Sequence, residues 1–132
     1  MKVITLAFIS LFLSFTKSGP DLSEEIAGAI RTGNAATISK YFSSSVDLKI
    51  LEQENIYSKA QAELIIKEFF VKHVPKAFNI AHKSALKNDS QFAIGTLETG
   101  TGKFRVNFVM KSASASAGGT TITQFRIEPE NE

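Results

Sequence analysis

The first segment of the chain is an apolar run unlike anything that follows it. Met1 and Lys2 give a positively charged start, and residues 3–15 (VITLAFISLFLSF) are interrupted only by hydroxyl side chains. The run has the length of a signal-peptide core, whereas a membrane-spanning helix needs about 20 residues. We predict a signal peptide over residues 1–18, cleaved after Ser18, and hence a secreted or periplasmic protein. An uncleaved anchor and a buried first strand are the alternatives.

Apolar residues recur at helical spacing in the next part of the chain. The stretch 22–30 predicts an amphipathic helix, which Asp21 can cap and Gly33 ends. Asn34 is in position to cap a short second helix. Ser58 and Gln61 have the spacing of a capping box, and they precede the longest predicted helix, residues 59–74. The sequence thus predicts three helices in its first half.

Elsewhere apolar and polar residues alternate at strand spacing. The pattern predicts strands at 46–50, 78–82, 91–97, 104–110 and 121–127, and residues 43–45 are predicted as a loop. Short connections between the last four strands favour an antiparallel meander. Helices that precede a run of strands are typical of α+β proteins. We therefore expect N-terminal helices packed on a curved antiparallel sheet, in a single domain over residues 19–132.

Composition and charge exclude several classes of protein. The 132 residues include no Cys, which excludes disulfides, Cys-ligated zinc, iron–sulfur clusters and a cysteine nucleophile. The formal net charge of +2 comes from 15 basic and 13 acidic residues. Loss of Lys2 and Lys17 with the signal peptide would leave the mature chain neutral. A neutral domain lacks the basic surface of a nucleic-acid binder, so no nucleic-acid partner is expected.

Four stretches of sequence resemble a known family. They are AIRTGNAATISKYF (29–42), YSKAQAELIIKEFF (57–70), IGTLETGTGKFRV (94–106) and FRIE (125–128). Together they are similar to domain of unknown function 4783, a family of secreted bacterial proteins in the nuclear transport factor 2-like superfamily, also described as cystatin-like. The resemblance implies a cone of helices wrapped by a bent antiparallel sheet. It implies no activity, because that superfamily contains both enzymes and non-catalytic modules.

Two histidines are the candidates for acid–base chemistry. His73 falls within the apolar stripe of the long helix, and His82 alternates with Phe78 and Ile80 on a predicted strand. Either could face the cone interior and transfer a proton. His73 could instead be a packed structural residue, and His82 could instead lie at the end of its strand, near solvent. The candidate pocket residues are Tyr41, Tyr57, Ile66, Phe70, His73, His82 and Phe104.

Acidic residues are absent from the predicted inward positions. Asp47 and Lys49 alternate with apolar neighbours and should face solvent, and other acids fall on turns or polar helix faces. That pattern disfavours chemistry like that of ketosteroid isomerase, which needs an inward Asp. The histidine spacing matches no metal motif, so neither a metal nor a cofactor is expected.

Three kinds of function therefore remain open, and one of them is a purely structural or dimerisation module with a filled cone. The first is a non-catalytic module that binds a small apolar ligand or a protein partner, without a membrane span after signal cleavage. The alternative is a small-pocket enzyme, similar to an isomerase, cyclase or dehydratase, that uses a histidine for proton transfer. Arg105 and Arg126 are expected on the outer sheet surface. That surface commonly pairs subunits in the superfamily, so a homodimer is a further hypothesis.

Overall fold

The computed structural model describes residues 22–112 and 119–130. Its elements, in chain order, are α1 (Leu22–Arg31), α2 (Ala35–Lys40), β1 (Phe42–Ile50), β2 (Gln53–Ser58), α3 (Lys59–Lys72), β3 (Pro75–Ala85), β4 (Ser90–Thr99), β5 (Gly102–Lys111) and β6 (Thr121–Pro129). The predicted signal peptide and the Asp21 cap lie outside the described residues. Among the described residues, no helix is both long and apolar enough to cross a membrane.

All six strands belong to one sheet, in the order β2-β1-β6-β5-β4-β3. Strands β3 to β6 form the predicted antiparallel meander. Strand β1, however, pairs with β6 in parallel, so the sheet is mixed where a wholly antiparallel one was expected. The chain crosses through α3 to the far edge of the sheet, and the meander then returns beside β1 in the same direction. Register shifts in β1, β3 and β6 mark bulges, which bend a sheet.

Two parts of the strand prediction are wrong. Residues 43–45 belong to β1 and are not a loop. Strand β2 was not predicted at all, because five of its six residues are exposed and it shows no apolar alternation. Both errors concern polar segments whose strand conformation comes from pairing with a neighbour rather than from a buried face.

Three of the predicted helix boundaries are confirmed by their caps, whereas α3 ends at Lys72, two residues before the predicted end. Gly33 has a φ of 66°, the left-handed conformation expected just after a helix. The Asn34 side chain accepts a hydrogen bond of 3.0 Å from the Thr37 N–H at the start of α2. Ser58 and Gln61 form a complete capping box at the start of α3. The end of α1 and the starts of α2 and α3 are therefore specified locally.

The interior between the helices and the sheet is packed core. The largest fully buried side chains come from every layer: Phe42, Phe78, Phe108, Phe125, Ile26, Ile30, Ile38, Leu48, Ile66, Leu97, Met110 and Ile122. The Phe108 and Phe125 rings stack across β5 and β6 with centroids 6.2 Å apart. Gly95 on β4 leaves room for the Phe78 ring, which a methyl group there would approach to 2.8 Å. Space for a ligand must therefore be sought at the edge of this core.

Candidate functional site

A cleft of about 140 Å³ opens at one end of the core, between the β1–β2 turn and the C-terminal half of α3. We call it the mouth cleft. Its lining residues are Ile50, Leu51, Gln53, Ile65, Glu68, Phe69, Lys72 and His73. The side chains nearest the core are apolar, since Ile50 and Phe69 are buried and Ile65 is half-buried. The polar side chains are contributed by residues closer to solvent.

The exposed charges of the mouth cleft already have partners. Lys72 Nζ lies 3.1 Å from Glu68 Oε1, one turn apart on α3, and both side chains are more than half exposed. An exposed pair of this kind contributes at most about 0.5 kcal/mol. The Gln53 amide donates a 3.1 Å hydrogen bond to the Tyr57 hydroxyl on the same strand. These groups can rearrange around a ligand at small cost.

Leu51 gives the turn side of the cleft an uncommon backbone. It is the first residue of the two-residue turn between β1 and β2, and its φ is 58°. This left-handed region is disfavoured for residues with a branched side chain. The turn is fixed from behind by a 2.9 Å hydrogen bond from the Leu51 N–H to the Ile127 carbonyl oxygen on β6. The strained conformation is thus held by the sheet, and the side chain stays against the core.

His73 closes the helix side of the cleft. It is the C-cap of α3, and its N–H donates a 2.8 Å hydrogen bond to the Phe69 carbonyl oxygen. Its ring packs against Phe69 and Phe104, with centroid distances of 4.6 and 5.1 Å. Pro75, two residues on, cannot continue the helix and starts β3 instead. The sequence therefore ends α3 so that His73 sits where the helix meets the sheet.

The His73 ring is also held by hydroxyl groups from the β4–β5 turn. Its Nδ1 lies 2.5 Å from the Thr101 hydroxyl oxygen. Thr101 Oγ1 is in turn 3.1 Å from Thr99 Oγ1, and the Thr99 hydroxyl donates a 2.8 Å hydrogen bond to the Gly102 carbonyl oxygen. We call this series of contacts the threonine chain. It links a half-buried imidazole to the backbone through two side-chain hydroxyls.

Only two of the pocket residues predicted from the sequence meet at this site. His73 lines the mouth cleft, and Phe104 supports its ring. Ile66 and Phe70 are buried in the core. Tyr57 does not line the cleft, but its hydroxyl accepts a hydrogen bond from Gln53, which does.

Tyr41 lies elsewhere, at the C-terminal end of α2. The Glu25 carboxylate accepts a hydrogen bond from the Tyr41 hydroxyl and, together with burial, raises the pKa of that hydroxyl above its ordinary value. Keeping Tyr41 protonated gives it a structural contact between α1 and α2. It therefore contributes to the helix layer and not to the mouth cleft.

Of the two positions considered for His82, the pocket-facing one is wrong and the solvent-facing one is observed. A register shift between Ile80 and His82 places His82 opposite Ile94, which alternates with the buried Ala93 on β4. The bulge transfers His82 to the outer face of the sheet, where it is exposed. Simple alternation from Phe78 and Ile80 cannot anticipate this change.

Sequence reasoning missed the residues that complete the site. Thr101 falls in the connection between two predicted strands, Thr99 lies beyond the end of the predicted strand at 91–97, and Gln53 belongs to the strand that was not predicted. A signal for Thr99 does exist, because it falls on the inward side of β4, two residues after Leu97, and is buried.

Ser23 and Ser39 are the other buried polar side chains among residues 22–112 and 119–130. Within those ranges no group of three or more His, Asp or Glu could hold a metal ion.

A second, wider groove lies between the α1–α2 turn and α3. Its volume is about 430 Å³, and it is lined by Thr32, Gly33, Asn34, Ala35, Ala36, Glu63 and Lys67. The Ser39 hydroxyl donates a hydrogen bond to the Glu63 carboxylate at this place. Small and polar residues dominate the lining of this groove.

The helix layer, the curved sheet and the open end of the cone define a nuclear transport factor 2-like, cystatin-like fold. A cystatin-like domain of unknown function from Nostoc punctiforme aligns with a TM-score of 0.65 at 10% identity, covering 84% of this chain and 74% of that one. Similarity at this level of identity supports the fold alone. No curated protein matches the chain significantly.

The family assignment is more specific than the fold. The family model for a domain of unknown function, DUF4783, matches residues 23–128, and the chain belongs to this family. A DUF4783 protein from Bacteroides uniformis is 32% identical, with a TM-score of 0.76, over 85% of this chain and all of that one. Another from Bacteroides ovatus is 33% identical, with a TM-score of 0.73, over 81% of this chain and 94% of that one.

Proposed function

We propose that this protein is a non-catalytic binding module that holds a small, largely apolar ligand in the mouth cleft. The observation that carries the proposal is the contrast between a filled core and a small cleft at its edge, with apolar side chains at its inner end and polar side chains at its rim. Ligand pockets for drug-sized molecules usually occupy about 300–1,000 Å³, more than the 140 Å³ found here. A closed apolar cavity of about 150 Å³ binds benzene, and the mouth cleft has a similar volume but is open to solvent. The expected ligand, or the part of it that enters, is therefore about one aromatic ring in size.

The walls of the mouth cleft fit such an occupant. Ile50, Ile65 and Phe69 provide apolar contacts, and the His73 ring adds a flat face beside them. Burying apolar surface there contributes roughly 25 cal/mol per Å². The buried polar side chains of the described residues are hydroxyls only, at Ser23, Ser39 and Thr99. The carboxylate that lines the cleft, Glu68, is exposed and paired with Lys72, unlike the buried Asp base of ketosteroid isomerase, which supports binding over catalysis.

Native mass spectrometry of the full-length chain tests this proposal. The expected result is a bound mass on the wild-type protein that is absent from Ile65→Trp, because the indole fills the cleft. Leu64→Trp is the matched control, since Leu64 is the neighbouring residue on α3 and is 65% exposed. A bare wild-type mass, or a bound mass that Ile65→Trp retains, would contradict ligand binding at this site.

The threonine chain favours a second candidate, a small-pocket enzyme that uses His73 for proton transfer. An imidazole oriented by a hydrogen bond on one nitrogen is the usual arrangement of a histidine base. The test is conversion, or deuterium uptake from D₂O, of a compound identified as bound by the mass measurement. Turnover that His73→Ala abolishes would favour the enzyme, and an unchanged compound would exclude it.

We also propose that the protein is exported and forms a homodimer through the outer face of the sheet. The apolar run at residues 3–15 supports export. On the outer face Phe92 pairs with Val109, and both are half-buried although they point away from the core. N-terminal sequencing of the protein after expression tests export through a cleaved signal peptide, and an intact Met1 would refute the cleavage. Sedimentation equilibrium tests the dimer, and a monomer at high concentration would refute it.

A further inference from the structure

We propose that the threonine chain holds His73 as the tautomer protonated on Nδ1, and that the ligand of the mouth cleft therefore carries a hydrogen-bond donor. The claim about the ligand rests on the function proposed above. The claim about the His73 tautomer concerns the hydrogen atoms of three side chains and can be tested without any ligand.

The argument starts at the buried end of the chain. The Thr99 hydroxyl has one hydrogen, and it is donated to the Gly102 carbonyl oxygen at 2.8 Å. Thr99 Oγ1 can then only accept from its other partners. The Thr101 N–H donates to it at 3.2 Å. Taken as a hydrogen bond, the 3.1 Å contact with Thr101 Oγ1 has the Thr101 hydroxyl as the donor. Both lone pairs of Thr99 Oγ1 are thereby used.

The same count of hydroxyl hydrogens fixes the tautomer of the His73 imidazole. The single hydroxyl hydrogen of Thr101 points to Thr99, so Thr101 Oγ1 is an acceptor toward His73. The 2.5 Å contact is then a hydrogen bond from Nδ1–H of His73 to Thr101 Oγ1. A neutral imidazole carries one N–H, which leaves a lone pair on Nε2. Because His73 lines the cleft and Nδ1 is occupied, Nε2 is the ring nitrogen available to a ligand.

This assignment defines the class of ligand. The apolar floor accepts a hydrocarbon body of about one ring, and Nε2 accepts a hydrogen bond from a hydroxyl or amine on it. A ligand that buried Nε2 without a donor would leave an acceptor unsatisfied, which costs affinity. We therefore expect phenol-like molecules to bind in preference to hydrocarbons of the same shape.

The tautomer is measured by ¹⁵N NMR of the full-length chain at about pH 8, above the usual histidine pKa of about 6.5. We expect Nδ1 of His73 to be the protonated nitrogen. Thr101→Val removes the acceptor and should reduce the ratio of Nδ1–H to Nε2–H about fivefold. Thr101→Ser keeps the hydroxyl and should keep the ratio. An Nε2–H wild type, or a ratio unaffected by Thr101→Val, would overturn the assignment.

The ligand class is tested by titrating the same sample with phenol and toluene, which match in shape but differ in the donor. The expected result is that phenol binds the wild-type cleft about fivefold more tightly and that Thr101→Val reduces this preference. Equal binding of the two probes would overturn the donor requirement while the proposed binding site stands. Absence of saturable shifts at cleft residues with either probe would overturn the proposed function along with the ligand class.

Discussion

Gly95 allows the Phe78 ring to fill the interior of the cone, and its replacement by Ala should be strongly destabilising. An added Cβ would approach the Phe78 ring to 2.8 Å and would overlap the Asn79 carbonyl oxygen. The overlapped atom is backbone in β3, the strand paired with β4, so it cannot turn aside as a flexible side chain could. The strands must move apart or the ring must leave its position. Either change disturbs the filled core on which the functional argument depends.

The expected loss in the free energy of unfolding of Gly95→Ala lies at or above the upper end of the roughly 1–3 kcal/mol that overpacking costs. Gly28 provides the matched control, because it lies within α1 and an added Cβ there meets nothing within 4 Å. Gly28→Ala should raise the free energy of unfolding by about 0.5–1 kcal/mol, since Ala is favoured over Gly in a helix interior. Replacement of Gly by Ala is thus predicted to lower the free energy of unfolding at position 95 and to raise it at position 28.

Urea denaturation of the full chain, followed by far-UV circular dichroism, measures both effects. The double variant Phe78→Leu/Gly95→Ala adds a check, because the smaller Leu side chain should restore part of the free energy of unfolding that Gly95→Ala loses. A Gly95→Ala protein whose free energy of unfolding stays within about 0.5 kcal/mol of wild type would refute the reasoning. That result would mean that the interior around Phe78 has unfilled space.

Three further predictions concern the frame around the site. Ser58→Ala removes the α3 capping box with Gln61 and should lower the free energy of unfolding by about 1 kcal/mol in urea denaturation; an unchanged midpoint would contradict this. Arg126→Gln should cost less than about 1 kcal/mol, and less still in high salt, because its ion pairs with two acids are partly exposed; a large, salt-independent loss would contradict this. Glu25→Gln should lower the pKa of Tyr41 in a spectrophotometric titration. The raised pKa stabilises the fold below about pH 10, and this contribution is lost as pH rises through the folded value; an unshifted titration curve would show that the contact is absent.

The fold was largely predictable because its signals are local. The capping box at Ser58, the left-handed Gly33 and the alternation in β4 to β6 each specify an element without long-range information. The parallel pairing of β1 with β6 was not predictable in this way. That pairing depends on which edge of the sheet the chain reaches after α3, and no local sequence pattern encodes this position.

The candidate site was predictable only in part, for a related reason. His73 was found because it falls within the apolar stripe of α3. His82 was misplaced because a single extra residue in β3 reverses the face of everything after it. Thr101 acts through a contact with a residue 28 positions away in sequence, and only the folded structure brings the two together.

The central claim is that the mouth cleft is a ligand site, and an NMR titration of the methyl-labelled full-length chain with toluene tests it most directly. We predict saturable shifts at the methyl groups of Ile50, Leu51 and Ile65, which line the cleft. Leu64 and Ile56, exposed by 65% and 69%, should stay unchanged. Shifts centred on those exposed residues, or no saturable shift at the cleft, would contradict the account.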